Sequence, residues 1–146
     1  MMTALTCLAV AVYFEARSEP IDGQLLVAET IINRAADERW PNTICEVVKQ
    51  PRQFSFYSDG KSDTPRDQVA YELALELAAV AMSGEHLHTG ALYYHTVDVR
   101  PVWRHDLEML GRVGNHIFYT NTKDCRLPTC SPRPVPRPDG GTFDGN

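Results

Sequence analysis

The sequence is short of the features that mark several large functional classes. Positive charge is scarce: 14 Lys and Arg face 19 Asp and Glu, a formal net charge of −5. A nucleic-acid binder usually leaves a basic footprint, so no nucleic acid is expected as a partner. The same balance argues against a purely electrostatic grip on an anionic envelope. No apolar run reaches the roughly 20 residues that span a bilayer, so no membrane insertion is expected. Thr3 to Phe14 is apolar enough to imitate the core of an export leader, but no Lys or Arg precedes it. It reads as a buried helix, and no signal peptide is visible. There is no Gly-rich phosphate loop, Walker sequence or Gly-x-Ser-x-Gly elbow, and no internal repeat.

Cysteine is sparse, with four residues and no Cys-x-x-Cys pair, which gives a structural zinc site little support. Cys7 and Cys45 lie in apolar runs and read as small buried hydrophobes. Cys125 and Cys130 flank Arg-Leu-Pro-Thr; they could close a short disulfide in an oxidising compartment or stay as loose thiols. Five histidines are present. His86-x-His88, with His95, His105 and His116 further on, raises a metal site, but the first two sit in a Gly-flanked connection with no evident carboxylate to orient them. No metal or other cofactor is expected.

What remains is the material of one globular domain. The 146 residues are 43% hydrophobic and 23% charged, ordinary values for a single core. Ala4 to Arg17 is apolar on every side, the pattern of a central helix. Ser18-Glu19-Pro20 ends it, since the residue before a proline is driven out of the helical region. Asp22-Gly23 opens a second helix, Gln24 to about Glu38, striped by Leu25, Leu26, Ala28, Ile31 and Ile32. Thr43-x-x-Glu46 is a capping box for a short third helix through about Lys49. Gln53-Phe54-Ser55-Phe56-Tyr57 reads as a loop or short strand. Thr64-Pro65-x-Asp67 starts a helix to about Met82, with Val69, Leu73, Leu77 and Val80 as its apolar face and Gly84 as its cap. Ala91–Thr96 and His116–Thr120 read as strands, and Arg104 to Leu110 as one or two helical turns between them. The expected division is a domain over 1–123 and a Pro/Gly-rich tail over 124–146, too poor in apolar mass to order.

Glu15 is the most informative position. It closes a wholly apolar run, so its carboxyl is expected near the core. Burial raises a carboxyl pKa, and the negative end of the helix dipole acts in the same direction. A glutamic acid still partly protonated near neutral pH suits a general acid for a glycosidic oxygen. The plainer alternative is a structural carboxylate paired with Arg17. Glu19 lies four residues on, so two helical Cβ atoms would be roughly 6 Å apart, near the spacing of a retaining glycosidase pair. Pro20 removes Glu19 from the helix, which makes it a supporting or substrate-orienting group. Glu29 is expected half-buried, hydrogen-bonded and paired with an Arg, with Asn33 one turn later on its face. Tyr93, Tyr94, His95, Trp103 and Phe118 offer aromatic faces that stack on sugars beside groups that bind hydroxyls; core packing would use them equally well.

At these residues the sequence resembles the cell wall hydrolase SleB family, which includes spore-cortex-lytic enzymes and phage-borne endolysins. The resemblance is carried by Tyr13-Phe14-Glu15-Ala16-Arg17-Ser18-Glu19-Pro20, Gly23-Gln24 and Ile32-Asn33-Arg34. It continues through Pro41-Asn42-Thr43, Gln53-Phe54-Ser55, Ala91-Leu92-Tyr93-Tyr94 and Gly114-Asn115-His116-Ile117-Phe118, in the family's order from about Leu5 to Tyr119. Ser18 departs from the family's usual glycine, and the tail has no counterpart. The resemblance implies an α+β, lysozyme-like fold: a mostly helical lobe, a small β lobe and a glycan groove between them. It implies peptidoglycan as substrate, cut between MurNAc and GlcNAc by a lytic transglycosylase in which Glu15 is the single acid/base. The expected substrate-binding set is Glu19, Gln24, Gln53, Phe54, Ser55, Tyr94, His95, Trp103, Asn115 and His116. A monomer acting on the bacterial wall is expected, in the periplasm or as an endolysin released from a host cytoplasm. Three other readings stay open: a water-using muramidase, a zinc amidase that cuts the peptide stem, and a binding protein that kept the fold without catalysis.

Overall fold

The computed structural model describes residues 2–50, 64–84 and 88–121. Among these residues four helices come first: α1 (Ala4–Ala16), α2 (Ile21–Ala35), α3 (Ile44–Lys49) and α4 (Gln68–Met82). Then follow β1 (Tyr93–Thr96), a 3-10 helix (Val102–Asp106), β2 (Glu108–Val113) and β3 (His116–Thr120). The sheet is antiparallel in the order β1-β3-β2. The expected α+β class is what the chain adopts. Among the described residues no helix is long and apolar enough to cross a membrane.

α1 is the axis of the helical part. Cys7 to Tyr13 and Ala16 are buried all round it, and α2, α3 and α4 pack against it. Thr3 caps its start, accepting from Thr6 N–H at 3.2 Å; a side-chain oxygen there satisfies one of the helix's unpaired donors. α2 begins at Ile21, three residues earlier than the sequence suggests, because Pro20 with its fixed φ serves as the N-cap. Thr43 caps α3 through Glu46 N–H, as its capping box indicates.

α4 departs from expectation twice. Its cap is Asp67, which accepts from Ala70 N–H at 3.1 Å, and not Thr64. The N–H groups of Arg66 and Asp67 donate to the Tyr13 phenol oxygen at 3.2 and 3.0 Å, which ties the start of α4 to α1. Its inner face is Ala74, Leu77, Ala78 and Ala81, while Val69 is 79% and Val80 38% exposed. Nearly every residue of α4 is apolar, so the pattern alone does not choose a face; the alanine stripe permits the closest approach to α1.

Cys7 and Cys45 form a disulfide between α1 and the first turn of α3, with Cα atoms 5.3 Å apart. This corrects the reading of both as small buried hydrophobes: two runs 38 residues apart meet here, and nothing local in either run announces the partner. The remaining cysteines, Cys125 and Cys130, lie with the tail outside the described residues.

The span read as helical turns is a 3-10 helix followed by strand β2. The register of β2 on β3 slips by one between Met109 and Gly111, so Leu110 is the extra residue of a bulge. Leu110 and Gly111 are both buried in consequence, which erases the alternation that marks a strand in sequence. Gly114 and Asn115 turn β2 into β3. Gly114 has φ +59, and a Cβ there would stand 2.8 Å from Pro20 Cδ and 2.9 Å from Glu19 Oε1. The hairpin turn therefore rests directly on the α1–α2 junction.

Candidate active site

Glu15 sits in the last turn of α1, where the helical part meets the sheet. Tyr94 of β1 donates its hydroxyl to Glu15 Oε1 at 2.8 Å. Burial raises the Glu15 carboxyl above its ordinary value; the Tyr94 hydrogen bond and the Arg34 charge oppose that without cancelling it. Burial also lifts the Tyr94 phenol well above its usual range, reinforced by the neighbouring Glu15 charge, so the phenol stays protonated and is a donor. With Oε1 accepting from Tyr94, the carboxyl's own proton belongs on Oε2. The alternative of an ion pair with Arg17 is not adopted: Arg17 Nη1 donates to the Tyr13 hydroxyl at 2.6 Å and its guanidinium lies over that ring.

A second cluster fastens the hairpin. Glu19 Oε1 accepts from Asn115 N–H at 2.7 Å and Oε2 from the Asn115 side-chain amide at 3.3 Å. His116 Nδ1 lies 3.4 Å from Glu19 Oε1, both side chains being 5% exposed. Burial holds the His116 imidazole below its ordinary pKa, against the pull of Glu19. Gln24 donates to the Glu19 carbonyl at 3.0 Å. The His116 ring meets the Tyr94 ring edge-on at 4.9 Å, which joins this cluster to Glu15. Glu19, Gln24, Asn115 and His116 are thus brought together around Glu15's neighbour, and both Glu19 oxygens are engaged by the turn.

Two of the expected residues are placed elsewhere. Neighbouring strand residues point to opposite faces, and Tyr94, Phe118 and His116 take the face toward the helical core. Tyr93, His95 and Tyr119 therefore take the other, where Trp103 covers them at ring distances of 5.5 to 5.7 Å. His95 is 8% exposed. Its Nδ1–H donates to the Thr96 carbonyl at 2.7 Å, which leaves Nε2 to accept from the Tyr119 hydroxyl at 2.8 Å. His95 and Trp103 build the outer layer of the sheet and do not meet Glu15. Gln53, Phe54 and Ser55 lie outside the described residues, as does His86.

Arg34 is a site residue that the sequence reading did not single out. It is buried, its Nε donates to the Leu92 carbonyl at 2.7 Å, and its guanidinium lies over the rings of Trp40 and Tyr93 at 5.5 and 5.6 Å. Its charge is the one cation that bears on Glu15 among the described residues. An arginine inside an otherwise apolar helix face was the available signal. Glu29 is fully buried, and its Oε1 accepts from both the backbone N–H and the hydroxyl of Thr89.

Comparison with known proteins identifies the family. A family model described as Cell Wall Hydrolase matches residues 18–119, beginning just past Glu15. A spore cortex-lytic enzyme of Bacillus subtilis is 35% identical over 112 residues, 76% of this chain and 35% of that protein. One from Bacillus cereus is 34% identical over the same length, 42% of that protein. The chain thus spans about a third of the first of these relatives. Among solved structures, the catalytic domain of the germination-specific lytic transglycosylase SleB from Bacillus anthracis superposes with a TM-score of 0.69 at 33% identity, covering 80% of this chain and 93% of that one. The catalytic domain of the Bacillus cereus SleB protein gives the same score and identity, covering 89% of that chain. A family model that spans most of the chain, and solved catalytic domains that it covers almost completely, place it in the cell wall hydrolase family.

Proposed function

We propose that this chain cleaves the glycan strands of peptidoglycan between MurNAc and GlcNAc as a lytic transglycosylase, with Glu15 as its single acid/base. The observation that carries the reading is the state of Glu15: a carboxyl raised by burial, held at Oε1 by a protonated phenol, with no carboxylate among the described groups that bear on it. Glu19, the one candidate partner, spends both oxygens on the hairpin. A two-carboxylate mechanism has no second member here among the described residues; a one-carboxylate mechanism needs none.

In the proposed reaction Glu15 Oε2 gives its proton to the glycosidic oxygen as the bond from the MurNAc anomeric carbon breaks. The carboxylate left behind then takes the proton of the MurNAc 6-hydroxyl as that oxygen bonds the same carbon. The products are a GlcNAc 4-hydroxyl and a 1,6-anhydromuramyl end; Glu15 is regenerated and water is neither added nor released. Tyr94 acts as a positioning residue, fixing the Glu15 rotamer and directing the proton to the outward oxygen. Glu19, Gln24, Asn115 and His116 support the wall beside it. The groove would run between helices and sheet, so the reading omits His95 and Trp103. It includes a catalytic domain within 1–123, action as a monomer and a place of action at the bacterial wall.

Purified protein incubated with isolated peptidoglycan tests this. Anhydro-ended muropeptides in the mass spectrum are expected, whereas reducing ends would assign a water-using muramidase and new free amino groups an amidase. Glu15→Gln keeps the shape and the acceptor for Tyr94. Its activity is expected to fall roughly 100- to 10,000-fold, and undiminished lysis by a folded Glu15→Gln protein would remove Glu15 from the reaction.

A further inference from the structure

We infer that polar contacts from about a turn and a half of α2 to the backbone ahead of β1 form a positioning rail, in which Glu29, Asn33 and Arg34 set the placement of Tyr94 against Glu15. This rests on the reading of Glu15 as the acid/base.

The rail is built from side chains that take the place of a neighbouring strand. Among the described residues β1 is an edge of the sheet, and the chain leading into an edge strand carries main-chain groups that must find partners. Along residues 89–92 those partners come from Glu29, Asn33 and Arg34 of α2. Glu29 accepts from the Thr89 N–H and hydroxyl. Asn33, one turn on, donates from Nδ2 to the Ala91 carbonyl at 2.9 Å. Arg34 donates from Nε to the Leu92 carbonyl at 2.7 Å. On its other side the segment enters the sheet at once, with Leu92 N–H donating to the Tyr119 carbonyl at 2.9 Å.

Two features make this more than ordinary packing. The chain turns sharply into the rail: His88 and Gly90 both have positive φ, +53 and +77, on either side of the buried Thr89. A non-glycine residue in that region persists only where its surroundings hold it. The rail also ends two residues before Tyr94. An extended strand advances about 3.3 Å per residue and transmits a shift along its length. Sliding residues 89–92 therefore moves the Tyr94 hydroxyl relative to Glu15, 2.8 Å away. The groups that bear on Glu15 are Tyr94 from β1 and Arg34 from α2, so two of the three rail residues act on the carboxyl only through Tyr94. Asn33 is accordingly a positioning residue, and so is Glu29.

A kinetic double-mutant cycle on the whole chain tests the rail, using soluble peptidoglycan fragments. Tyr94→Phe removes the phenol, and Asn33→Ala removes the bond to Ala91. Each is expected to lower kcat about 10-fold with KM within about 2-fold. The double variant should fall no more than about 2-fold below the worse single, because Asn33 has nothing left to position. The alkaline limb of the Asn33→Ala profile should move to higher pH, as in Tyr94→Phe. Losses that multiply to about 100-fold, a change confined to KM, or a lower melting temperature with an unmoved limb would overturn the rail. If Asn33→Ala does not fold, the same cycle with the near-isosteric Thr89→Val, which removes the hydroxyl to Glu29, decides the question. A Glu15→Gln protein with full activity would sink the acid/base reading itself; an inactive Glu15→Gln with a multiplicative cycle would sink only the rail.

Discussion

A carboxyl that must give a proton and then take one back works best when its two charge states lie close in energy at the working pH. Glu15 is set up in that way. Burial pushes its pKa up from the ordinary 4.5, while the Tyr94 hydrogen bond and the Arg34 charge restrain the rise. Two pH predictions follow with definite signs. Under the proposed reaction the acid form is required for activity, so kcat/KM should fall as pH rises through the Glu15 pKa. Tyr94→Phe removes a bond that favours the charged form, and its alkaline limb should therefore appear at higher pH, on a lower plateau. An unmoved or lowered limb in the pH–rate profile would contradict the Tyr94 contact. For stability, the folded state holds a proton that the unfolded state has released between the ordinary and the raised value. Folding stability contributed by Glu15 is thus complete below about 4.5 and lost as pH rises through the raised value. Glu15→Gln has no such loss. Thermal melts should show it gaining on the natural protein across that window and keeping a constant lead above it; a lead that shrinks with rising pH would mean the carboxyl is not held in its acid form.

At the scale of elements, the hairpin between β2 and β3 shows what was readable and what was not. Gly114 has to be glycine: its φ is +59, and a Cβ would meet Pro20 and Glu19. Gly114→Ala should cost roughly 2 kcal/mol, from the left-handed backbone and the clash together, and urea unfolding would measure it. A neutral result would mean the turn is free to move off the α1–α2 junction. β3 is legible in the sequence because its signal is local. β2 could not, since the bulge at Leu110 breaks the two-residue period. The same distinction separates the site residues. Glu15 stood out because a carboxyl at the end of an apolar run is anomalous wherever the chain goes. Tyr94 and His95 were grouped together on composition, although adjacent residues of one strand face opposite ways; once the strand is granted, only one of them can reach Glu15. Arg34 and Thr89 gain their roles from contacts 58 and 60 residues away in the chain, and no local pattern encodes those.

Across the whole molecule, the end of α1 that carries Glu15 and its anchored end are separate. Glu15 meets the sheet at the C-terminal end, while Cys7 is tied to Cys45 near the other. Eight residues of helix, about 12 Å at 1.5 Å per residue, lie between them, and the core packing of α1 on α2 and α4 fills that distance. Stability and chemistry should therefore respond differently to reduction. A bridge that closes 38 residues restricts the unfolded chain enough to stabilise the fold by about 3–4 kcal/mol. Its loss should lower the melting temperature by roughly 10 °C for a domain of this size. The proposed glycan-cleaving rate at 25 °C should remain within about 2-fold, because the contacts described for Glu15 and Tyr94 do not involve the bond. Thermal melts and turnover in the presence and absence of a thiol reductant, repeated on Cys7→Ala/Cys45→Ala, separate the two effects. An unchanged melting temperature would mean that the cysteines are not paired in solution. A collapse of turnover well below the melting temperature would mean that the anchored end of α1 controls the placement of Glu15, and that the helix carries strain from one end of the molecule to the other.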